Sequence, residues 1–238
     1  MPAYNEEGCV EKVCLSWLLQ LESFPDAELL VVDDGSKDRT GQLLDLLAEN
    51  EPRLIVFHQA NQGHGAALLA AYRQALSRGC GWVFHVDSDD QFLPESIRLL
   101  WDRRDASDFI LGFRVDRQDA APRLIITRIA RLLNLLLFGV SIQDCNVPFR
   151  LIKADLLRKM MAVLPDAVFA PNIFLSVLAA KSGRDLMNIP IPHRNRATGQ
   201  VSIIRFKLLR VCLRTVRELA EFRLHLAASV KKIAGANA

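Results

Sequence analysis

Three polar side chains occupy alternate positions in the segment DSDDQ at residues 87–91. In an extended segment, residues two apart point to the same side, so Asp87, Asp89 and Gln91 can share one target. Carboxylate and amide oxygens suit Mg²⁺ or Mn²⁺, and such an ion can bridge to the diphosphate of a substrate. The competing interpretation is a solvated acidic turn before a helix that begins at Pro94. The segment alone predicts either a metal site or a plain turn.

A second acidic segment, VVDDGS, occupies residues 31–36. A carboxylate at the tip of a strand, here Asp33 or Asp34, can accept hydrogen bonds from a nucleobase or a ribose. Alternatively these residues cap the next helix while Gly35 makes the turn. The segment NQGHGAA at 61–67 resembles a helix start that faces a phosphate. It lacks the lysine and hydroxyl of a phosphate-binding loop, so a structural role for its glycines is favoured.

Arginines fall into two groups along the chain, and their guanidinium groups match phosphate oxygens in pairs. The first group is Arg114, Arg117, Arg123, Arg128 and Arg131, and the second is Arg194 and Arg196. A surface arginine is usually only solvated. Two groups that accompany an acidic metal segment favour the binding of an anion.

The elements that must position these residues alternate along the first half of the chain. Apolar runs predict strands at 27–34, 53–59, 81–90 and 108–114, and helical periodicity predicts helices at 6–21, 38–49, 63–79 and 94–102. This alternation predicts an α/β fold with a mostly parallel sheet and helices on both faces. Ligands of such sheets bind at the carboxyl ends of strands, where both acidic segments lie. Beyond residue 114 we expect helices at 123–138, 154–163, 170–182 and 203–230, and strands at 146–153 and 186–192.

The composition excludes several classes of protein. The chain has 238 residues, of which 50% are hydrophobic, and a net charge of only +3, which argues against a nucleic-acid-binding protein. Five dispersed cysteines without CxxC spacing fit reduced thiols rather than disulfides or a zinc site. The longest apolar run, at 132–140, is far shorter than the roughly 20 residues that span a bilayer. No GxSxG or Cys–His signature of a covalent hydrolase is present.

Charge is concentrated at the end of the chain. Residues 201–238 carry eight Lys or Arg against two Glu, a net of +6, which leaves −3 for the rest. A basic amphipathic helix of this kind is typical of proteins that bind an anionic membrane surface. The competing interpretation is that the helices at 124–140 and 203–222 pack against the body of the protein or against a second copy in a homo-oligomer.

Several segments together resemble those of family 2 glycosyltransferases, and they occur in that family's order. They are PAYNEE, VVDDGS, NQGHGAA, DSDDQFLP, GFR, QDCNVPFRLIK and IPIPHRNRATGQVS. The resemblance covers about residues 1–202 and is strongest to enzymes of the dolichol-phosphate mannosyltransferase type. It implies a GT-A glycosyltransferase domain at 1–202, followed by a basic amphipathic helix and tail at 203–238.

The resemblance also implies an activity and a set of site residues. The expected reaction moves a sugar, with inversion, from a GDP- or UDP-sugar to a polyprenyl phosphate or related acceptor. Residues Pro2, Tyr4, Glu6, Val32 and Asp34 are expected to hold the nucleoside. The diphosphate and a Mg²⁺ or Mn²⁺ ion are assigned to Asp87, Ser88, Asp89 and Gln91. Arg114 and Arg196 are expected to contact phosphates, and Arg131 is expected to help align an acceptor phosphate.

Two departures from the family pattern stand out. The apolar strand that precedes the PAYNEE loop in the family is absent, so we expect that Met1 is an internal methionine or that another segment fills the gap. This puts the placement of Pro2 and Tyr4, and the activity of this form of the chain, in question. His64 stands where the family often has lysine.

Alternative functions remain open from the sequence. If the acceptor is a sugar hydroxyl, a base is needed, and Asp90 or Asp144 is the candidate. A non-catalytic nucleotide-sugar-binding protein is a second alternative, given the missing strand. A sugar nucleotidyltransferase is disfavoured because no GxGTRL-like loop is present. For a polyprenyl phosphate acceptor we expect a cytoplasmic protein bound peripherally to the inner face of the membrane.

Overall fold

The computed structural model describes residues 1–115, 131–165, 168–183, 186–194 and 205–235, with the backbone alone for 205–213. The described residues form seven strands, β1 (Pro2–Ala3), β2 (Leu29–Asp33), β3 (Leu54–His58), β4 (Trp82–Val86), β5 (Phe109–Arg114), β6 (Phe149–Lys153) and β7 (Leu186–Ile191). The helices are α1 (Val10–Leu21), α2 (Thr40–Asn50), α3 (His64–Ser77), α4 (Ile97–Trp101), α5 (131–138 as described), α6 (Ala154–Met161), α7 (Pro171–Lys181) and α8 (Arg205–Gly235). A short 3₁₀ helix at Pro94–Ser96 precedes α4.

Strands and helices alternate from β2 to β5, and the predicted α/β class is confirmed. Most predicted elements lie within a few residues of the observed ones. Helix α1 begins at Val10 rather than at residue 6, because the loop before it bonds to the next loop instead: the amide of Glu6 donates to the hydroxyl of Thr40 at 2.8 Å. The part of the predicted helix at 123–130 lies outside the described residues.

The strands form two sheets rather than one. The first sheet has the order β1-β2-β3 and is entirely parallel. The second has the order β4-β6-β5-β7, in which β4, β5 and β7 share one direction and β6 runs opposite to them. The polar segments that follow β4, β5 and β7 therefore meet at one edge of the second sheet.

Both faces of β2 are covered by helices, which explains its continuous apolar sequence. Leu30 and Val32 pack in a small cluster with Ala67 and Ala71 of α3. The intervening Val31, which is fully buried, belongs to the main core together with Trp17 of α1. Alternate residues of a strand face opposite sides, so α1 and α3 lie on opposite faces of this sheet.

A groove separates the two sheets, and we call it the strand groove. Strand β1 pairs with β2 at only two positions, Pro2 with Val32 and Ala3 with Asp33. Beyond them β2 and β4 border a cavity of about 1100 Å³. Among the described residues no other strand pairs with this edge of β2.

The amino terminus lies at the end of this groove. The Met1 amino group donates to the carbonyl of Leu30 at 2.9 Å, and the Met1 carbonyl accepts from the amide of Val32 at 2.9 Å. The terminal amine therefore occupies a position that a strand amide normally takes. Burial lowers the pKa of the Met1 amino group from 8.0 to about 6, although the Asp87 carboxylate opposes the shift.

This buried amine predicts a pH dependence of stability. Folding disfavours the protonated amine, so the free energy of unfolding is highest above pH 8 and falls as the pH is lowered from 8 to about 6, the two pKa values of the group. A shift of about two units corresponds to roughly 2–3 kcal/mol. Below pH 6 the amine is protonated in both states, and this contribution is constant.

Urea unfolding at several pH values checks this expectation, with the protein acetylated at its amino terminus as the matched control. Acetylation removes the titrating group, so the acetylated protein should lose much less stability over this range. An equal loss in both proteins would show that the amine is not buried as described.

Helix α8 packs its described apolar residues against the body of the protein. Leu219, Phe222, Leu226 and Ile233 are buried, and the ring of Phe222 lies 4.9 Å from that of Phe174 in α7. For this part of the helix, packing against the body is therefore the correct interpretation of the apolar pattern, and an apolar face in a membrane is not.

Candidate active site

The acidic segment after β4 contacts two other parts of the chain. One is the beginning of α1, through Cys9 and Lys12, and the other is the segment after β7. The thiol of Cys9 donates to the carbonyl of Ser88 at 3.5 Å, and Lys12 forms an ion pair of 2.5 Å with Asp90. Asp90 has a φ of +56°, in the left-handed region that non-glycine residues seldom adopt. The segment is therefore a bent and tethered structure rather than the simple solvated turn of the competing interpretation.

Asp87 lies at the inner end of this segment and has a buried oxygen. Its Oδ1 is 3.4 Å from Nε2 of His85 and 4.0 Å from Nε2 of His64. Neither Asp87 Oδ1 nor His85 Nε2 has a good hydrogen bond within the described residues. Burial raises the pKa of the Asp87 carboxyl, but His64, His85 and the Met1 amine together outweigh it, so its pKa lies below the ordinary value. Asp87 is thus a carboxylate with one buried oxygen available as a ligand.

A buried histidine and tyrosine, which the sequence did not single out, stand behind Asp87. The Tyr72 hydroxyl lies 3.1 Å from Nδ1 of His85, and both side chains are almost completely buried. Burial lowers the pKa of His85 to about 4, so the ring is neutral at pH 7. Burial also raises the pKa of Tyr72, so its hydroxyl keeps its proton and donates to Nδ1. The proton of His85 then resides on Nε2, which faces Asp87.

The residues present fit a divalent cation at this place. Asp87 has a buried oxygen without a good hydrogen bond, and Asp89, two positions further on, is partly exposed. The Asp89 carboxylate accepts from the backbone amide of Gln91 at 3.4 Å, whereas the Gln91 side chain donates to the carbonyl of Arg194 at 3.4 Å. Within the described residues no three His, Cys, Asp or Glu side chains form a metal site by themselves. An ion held here would therefore need further ligands, such as the oxygens of a diphosphate.

The acids at the end of β2 are engaged in different ways. Asp33 is buried and bonds to the hydroxyl of Ser36 at 2.5 Å and to Nδ1 of His58 at 3.0 Å. These hydrogen bonds raise the pKa of His58, which also contacts Asp45. Asp33 therefore organises the turn after β2 but does not cap α2, which has no side-chain hydrogen bond at its N-cap.

Asp34 accepts three hydrogen bonds from the loop that precedes α3. They come from the side chain of Gln59 at 2.7 Å, the amide of Gln62 at 2.9 Å and the amide of Gly63 at 2.8 Å. Asp34 is almost fully buried and holds the NQG loop against the end of the first sheet. Its contact with a nucleoside stays a prediction.

The loop at 4–9, which follows β1, is joined to the loop after β2. Asn5 has a φ of +54°, and its side chain accepts from the amide of Lys37 at 2.7 Å. Pro2 is buried opposite Val32, whereas Tyr4 is 40% exposed and Glu6 is partly exposed. The structure therefore brings the predicted nucleoside residues Pro2, Tyr4, Glu6, Val32 and Asp34 to the end of the first sheet.

Arg114 ends β5 and is bound to an acid. Its Nε and Nη2 donate to the two oxygens of Asp144 at 2.7 and 3.1 Å, and both side chains are largely buried. Arg131 is exposed, and its guanidinium lies 3.3 Å from the Ser141 hydroxyl. The roles of Arg114 and Arg131 toward phosphates stay predictions.

The second arginine group begins beside the acidic segment. The amide of Arg194 donates to the carbonyl of Gln91 at 2.9 Å, and His193 pairs with Phe92 in an isolated bridge. Arg196 and Arg117 lie outside the described residues. The acidic segment after β4 is thus in contact with the basic segment after β7. The sequence analysis expected both at one site.

Arg150 is a further residue that sequence reasoning missed. Its side chain is fully buried, and it donates to the carbonyls of Val147, Asn172 and Cys145 at 2.6, 3.0 and 3.3 Å. These carbonyls belong in part to the loop that carries Asp144, so Arg150 fixes the partner of Arg114. A lone arginine inside the apolar strand FRLIK is the only signal that the sequence offers for it.

An acidic segment and a basic segment thus meet at the carboxyl ends of β4 and β7. Residues 1–161 match the family model described as Glycosyl transferase family 2. The chain therefore belongs to glycosyltransferase family 2.

Two curated relatives are similar to this chain over most of its length. The chain is 31% identical over 215 residues to the polyprenol monophosphomannose synthase of Mycolicibacterium smegmatis, covering 84% of this chain and 77% of that protein. It is 26% identical over 207 residues to the undecaprenyl-phosphate mannosyltransferase of Micrococcus luteus, covering 84% of each.

Solved structures share the fold at low sequence identity. Glucosyl-3-phosphoglycerate synthase from Mycobacterium tuberculosis, in complex with Mn²⁺, uridine diphosphate and phosphoglyceric acid, matches with a TM-score of 0.70 at 17% identity. That match covers 93% of this chain and 76% of the synthase. TarS from S. aureus, in complex with UDP-GlcNAc, matches with a TM-score of 0.60 at 18% identity, covering 97% of this chain and 70% of the TarS chain. The predicted GT-A architecture is confirmed by these matches.

Proposed function

We propose that this protein transfers a sugar, with inversion, from a nucleotide diphosphate sugar to a polyprenyl phosphate. The observation that carries the proposal is the meeting of the tethered Asp87–Gln91 segment with the basic segment that begins at Arg194. Such a place can hold the diphosphate of a donor. The names of the two mannosyl-transferring relatives support the polyprenyl phosphate acceptor.

The donor lies across the ends of the two sheets in this proposal. Pro2, Tyr4, Glu6, Val32 and Asp34 hold the nucleoside at the first sheet. Asp87 and Ser88 receive the diphosphate at the second sheet, where Asp87, Asp89 and Gln91 would hold Mg²⁺ or Mn²⁺. When bound, such an ion neutralises the charge that develops on the leaving nucleoside diphosphate. Arg196 contributes to the same charge neutralisation.

The ion pairs of the two candidate bases support an acceptor that needs no base. Asp90 is paired with Lys12, and Asp144 is held by both nitrogen donors of Arg114. Each carboxylate is engaged by a cation and would have to leave that partner to approach an acceptor hydroxyl. A polyprenyl phosphate is already an anion at neutral pH and can attack without deprotonation. Transfer to a sugar hydroxyl is correspondingly less well supported.

The acceptor phosphate is assigned to the arginines at the end of β5 and along α5. Arg131 is exposed in the described part of α5, and Arg114 lies at the end of β5. The Asp144 carboxylate binds two nitrogens of the Arg114 guanidinium, so the guanidinium is fixed in orientation before a phosphate arrives.

The proposal is tested by incubating the protein with Mn²⁺, labelled GDP- and UDP-sugars, and a short-chain polyprenyl phosphate. We expect labelled lipid product with one donor, and none when the lipid phosphate is replaced by the corresponding free alcohol. Transfer to soluble sugar alcohols instead would favour the hydroxyl acceptor. Donor binding by calorimetry without transfer or donor hydrolysis would identify a non-catalytic binder, and either result would contradict the proposal.

A membrane-bound acceptor requires a surface that approaches the bilayer. In the described part of the chain no helix is both long and apolar enough to cross a membrane. Helix α5 instead exposes three leucines on one side, Leu132, Leu135 and Leu136, at 54%, 49% and 71%. Arg131 adjoins them, and apolar residues beside arginines fit the interface of an anionic bilayer.

We therefore expect that Leu135→Gln combined with Leu136→Gln weakens binding to vesicles of anionic phospholipid roughly tenfold or more, because two leucines no longer enter the interface. Vesicle flotation measures the bound fraction. Leu46→Gln is the matched control, since Leu46 is 58% exposed on α2. Equal binding by the double variant and the control would remove α5 as the membrane-binding surface.

A further inference from the structure

His85 lies in the interior of the protein, directly behind the acidic segment. It is the fourth residue of β4, and its side chain is only 2% exposed. Asp87 follows two positions later, and residues two apart in an extended segment point to the same side. The imidazole and the carboxylate are therefore neighbours, with His85 Nε2 lying 3.4 Å from Asp87 Oδ1.

The imidazole of His85 is held in orientation by Tyr72 of α3. The Tyr72 hydroxyl lies 3.1 Å from His85 Nδ1. The two rings also meet edge to face, with their centroids 5.6 Å apart and their planes at 80°. A ring that is bound at one nitrogen and packed on its face has little freedom to turn, so Nε2 stays directed at Asp87.

The second nitrogen of this histidine distinguishes it from an ordinary core histidine. A core histidine normally satisfies both ring nitrogens, because an unpaired buried polar atom is destabilising. Within the described residues, His85 Nε2 and Asp87 Oδ1 are both buried without a hydrogen bond of good geometry, and they face each other. Hydrogen bonds around a reaction site are often long in a free enzyme and shorten in the substrate complex. A small rotation of the Asp87 carboxylate would complete this one.

The chemistry of the two groups gives the direction of the hydrogen bond. An ionised carboxylate only accepts hydrogen bonds, so the nitrogen of His85 that faces Asp87 is the one that carries the proton. Nδ1 is then the acceptor for the Tyr72 hydroxyl. A carboxylate oxygen has more than one lone pair, so Asp87 Oδ1 can accept from His85 and still contact a cation.

Other contacts of the acidic segment do not orient this carboxylate. The contacts with the beginning of α1 are made by the backbone of Ser88 and by the side chain of Asp90. The exposed ring of His64 lies 4.0 Å from Asp87 Oδ1, beyond hydrogen-bond distance. Of these two histidines, only His85 is both buried and close enough to bond to Asp87.

We propose that His85, held by Tyr72, is a positioning residue that fixes the Asp87 carboxylate for a divalent cation. Hydrogen bonds to a ligating carboxylate set its orientation, and their loss weakens metal binding about tenfold to a hundredfold. The inference rests on the proposed function, since the cation is the one that would bridge to the donor diphosphate. His85 and Tyr72 act through Asp87 and contact neither the cation nor the donor.

Binding of Mn²⁺ tests this role without any measurement of turnover. The protein is titrated with Mn²⁺ at saturating UDP and, separately, at saturating GDP. Electron paramagnetic resonance measures the free ion, with each nucleotide alone as the blank. His85→Phe keeps a ring in the core but removes the donor, and it should raise the Kd for Mn²⁺ about tenfold or more. His85→Gln keeps a donor for Asp87 and an acceptor for Tyr72, and it should recover most of the lost affinity.

His225→Phe is the matched control, because His225 is exposed on α8, and its Kd should equal that of the wild-type protein. Equal affinity of the wild-type protein and His85→Phe would overturn the positioning role and leave the cation site intact. A loss in His85→Phe that His85→Gln does not recover would assign the effect to packing and would also overturn the role. If the wild-type protein binds Mn²⁺ with neither nucleotide, the cation site itself is wrong, and the positioning role fails with it.

Nitrogen-15 NMR of wild-type protein labelled at histidine tests the geometry without a substitution in the core. The His85 signals are assigned by their absence from the spectrum of His85→Gln. With Mg²⁺ and UDP or GDP present, they should show a proton on Nε2 and none on Nδ1. The reverse tautomer would overturn the proposal, because Nε2 would then have no proton to donate to Asp87.

Discussion

Replacing Asp89 with alanine is expected to lower the rate of sugar transfer at least about a thousandfold, which corresponds to about 4 kcal/mol of transition-state stabilisation. The proposed role of Asp89 is to hold a cation against the donor diphosphate together with Asp87, so its loss removes one of two carboxylate ligands. Asp90 points to Lys12, and Asp87 faces His85 and His64. Steady-state turnover with saturating Mn²⁺ measures the effect.

The fold of the Asp89→Ala variant should be unaffected, because the side chain is partly exposed and lies at a loop. Thermal unfolding checks this point. Asp155→Ala is the matched control, since the Asp155 side chain is 79% exposed at the start of α6. Turnover that is the same in the Asp89 variant as in the control would refute the assignment of the acidic segment.

Replacing Arg150 with leucine is expected to destabilise the protein by about 3 kcal/mol or more. The carbonyl of Val147 would lose its donor inside the core, and those of Cys145 and Asn172 would share only the hydroxyl of Ser176. Each unsatisfied buried acceptor costs about 1–3 kcal/mol, and removal of a buried charge offsets part of the sum. The measurement is the free energy of unfolding from urea titration.

Transfer should also fall in the Arg150→Leu variant, because the loop that holds Asp144 against Arg114 loses its anchor. Arg158→Leu is the control, since the Arg158 side chain is 52% exposed and pairs only with its neighbour Asp155 among the contacts described. A loss of stability below about 1 kcal/mol in the Arg150 variant would mean that the buried guanidinium contributes little beyond an ordinary core side chain.

Local sequence patterns predicted the α/β alternation well, because short apolar runs and helical periods are local properties. The strand at 108–114 is an example: its apolar run FILGFR becomes β5 almost residue for residue. The acidic segment was also predictable, since its position after a strand follows from the same alternation. Its tether could not be predicted, because Lys12 and Asp90 are 78 residues apart in the chain.

The remaining differences between the sequence predictions and the structure arise at residues whose contacts come from distant parts of the chain. Asp34 was assigned to a nucleoside from its place at a strand end, yet its three hydrogen bonds to the loop before α3 depend on how that loop folds back. The apolar stripe of α8 indicated a buried face but not the residues that pack against it. In the structure, Phe174 of α7 packs against Phe222. The arginine within FRLIK marked Arg150 as unusual, but the carbonyls that it binds come from segments that the local sequence does not reveal.

Helix α1 connects the two halves of the candidate site. Its amino end follows the loop that carries Tyr4 and Glu6, while Cys9 and Lys12 contact the backbone of Ser88 and the carboxylate of Asp90. In the proposed donor complex, a displacement of the acidic segment would be passed through this helix to the loop at 4–9. We therefore expect the two ends of the donor site to be coupled, and the factor by which occupancy of one end changes affinity at the other must be the same in both directions.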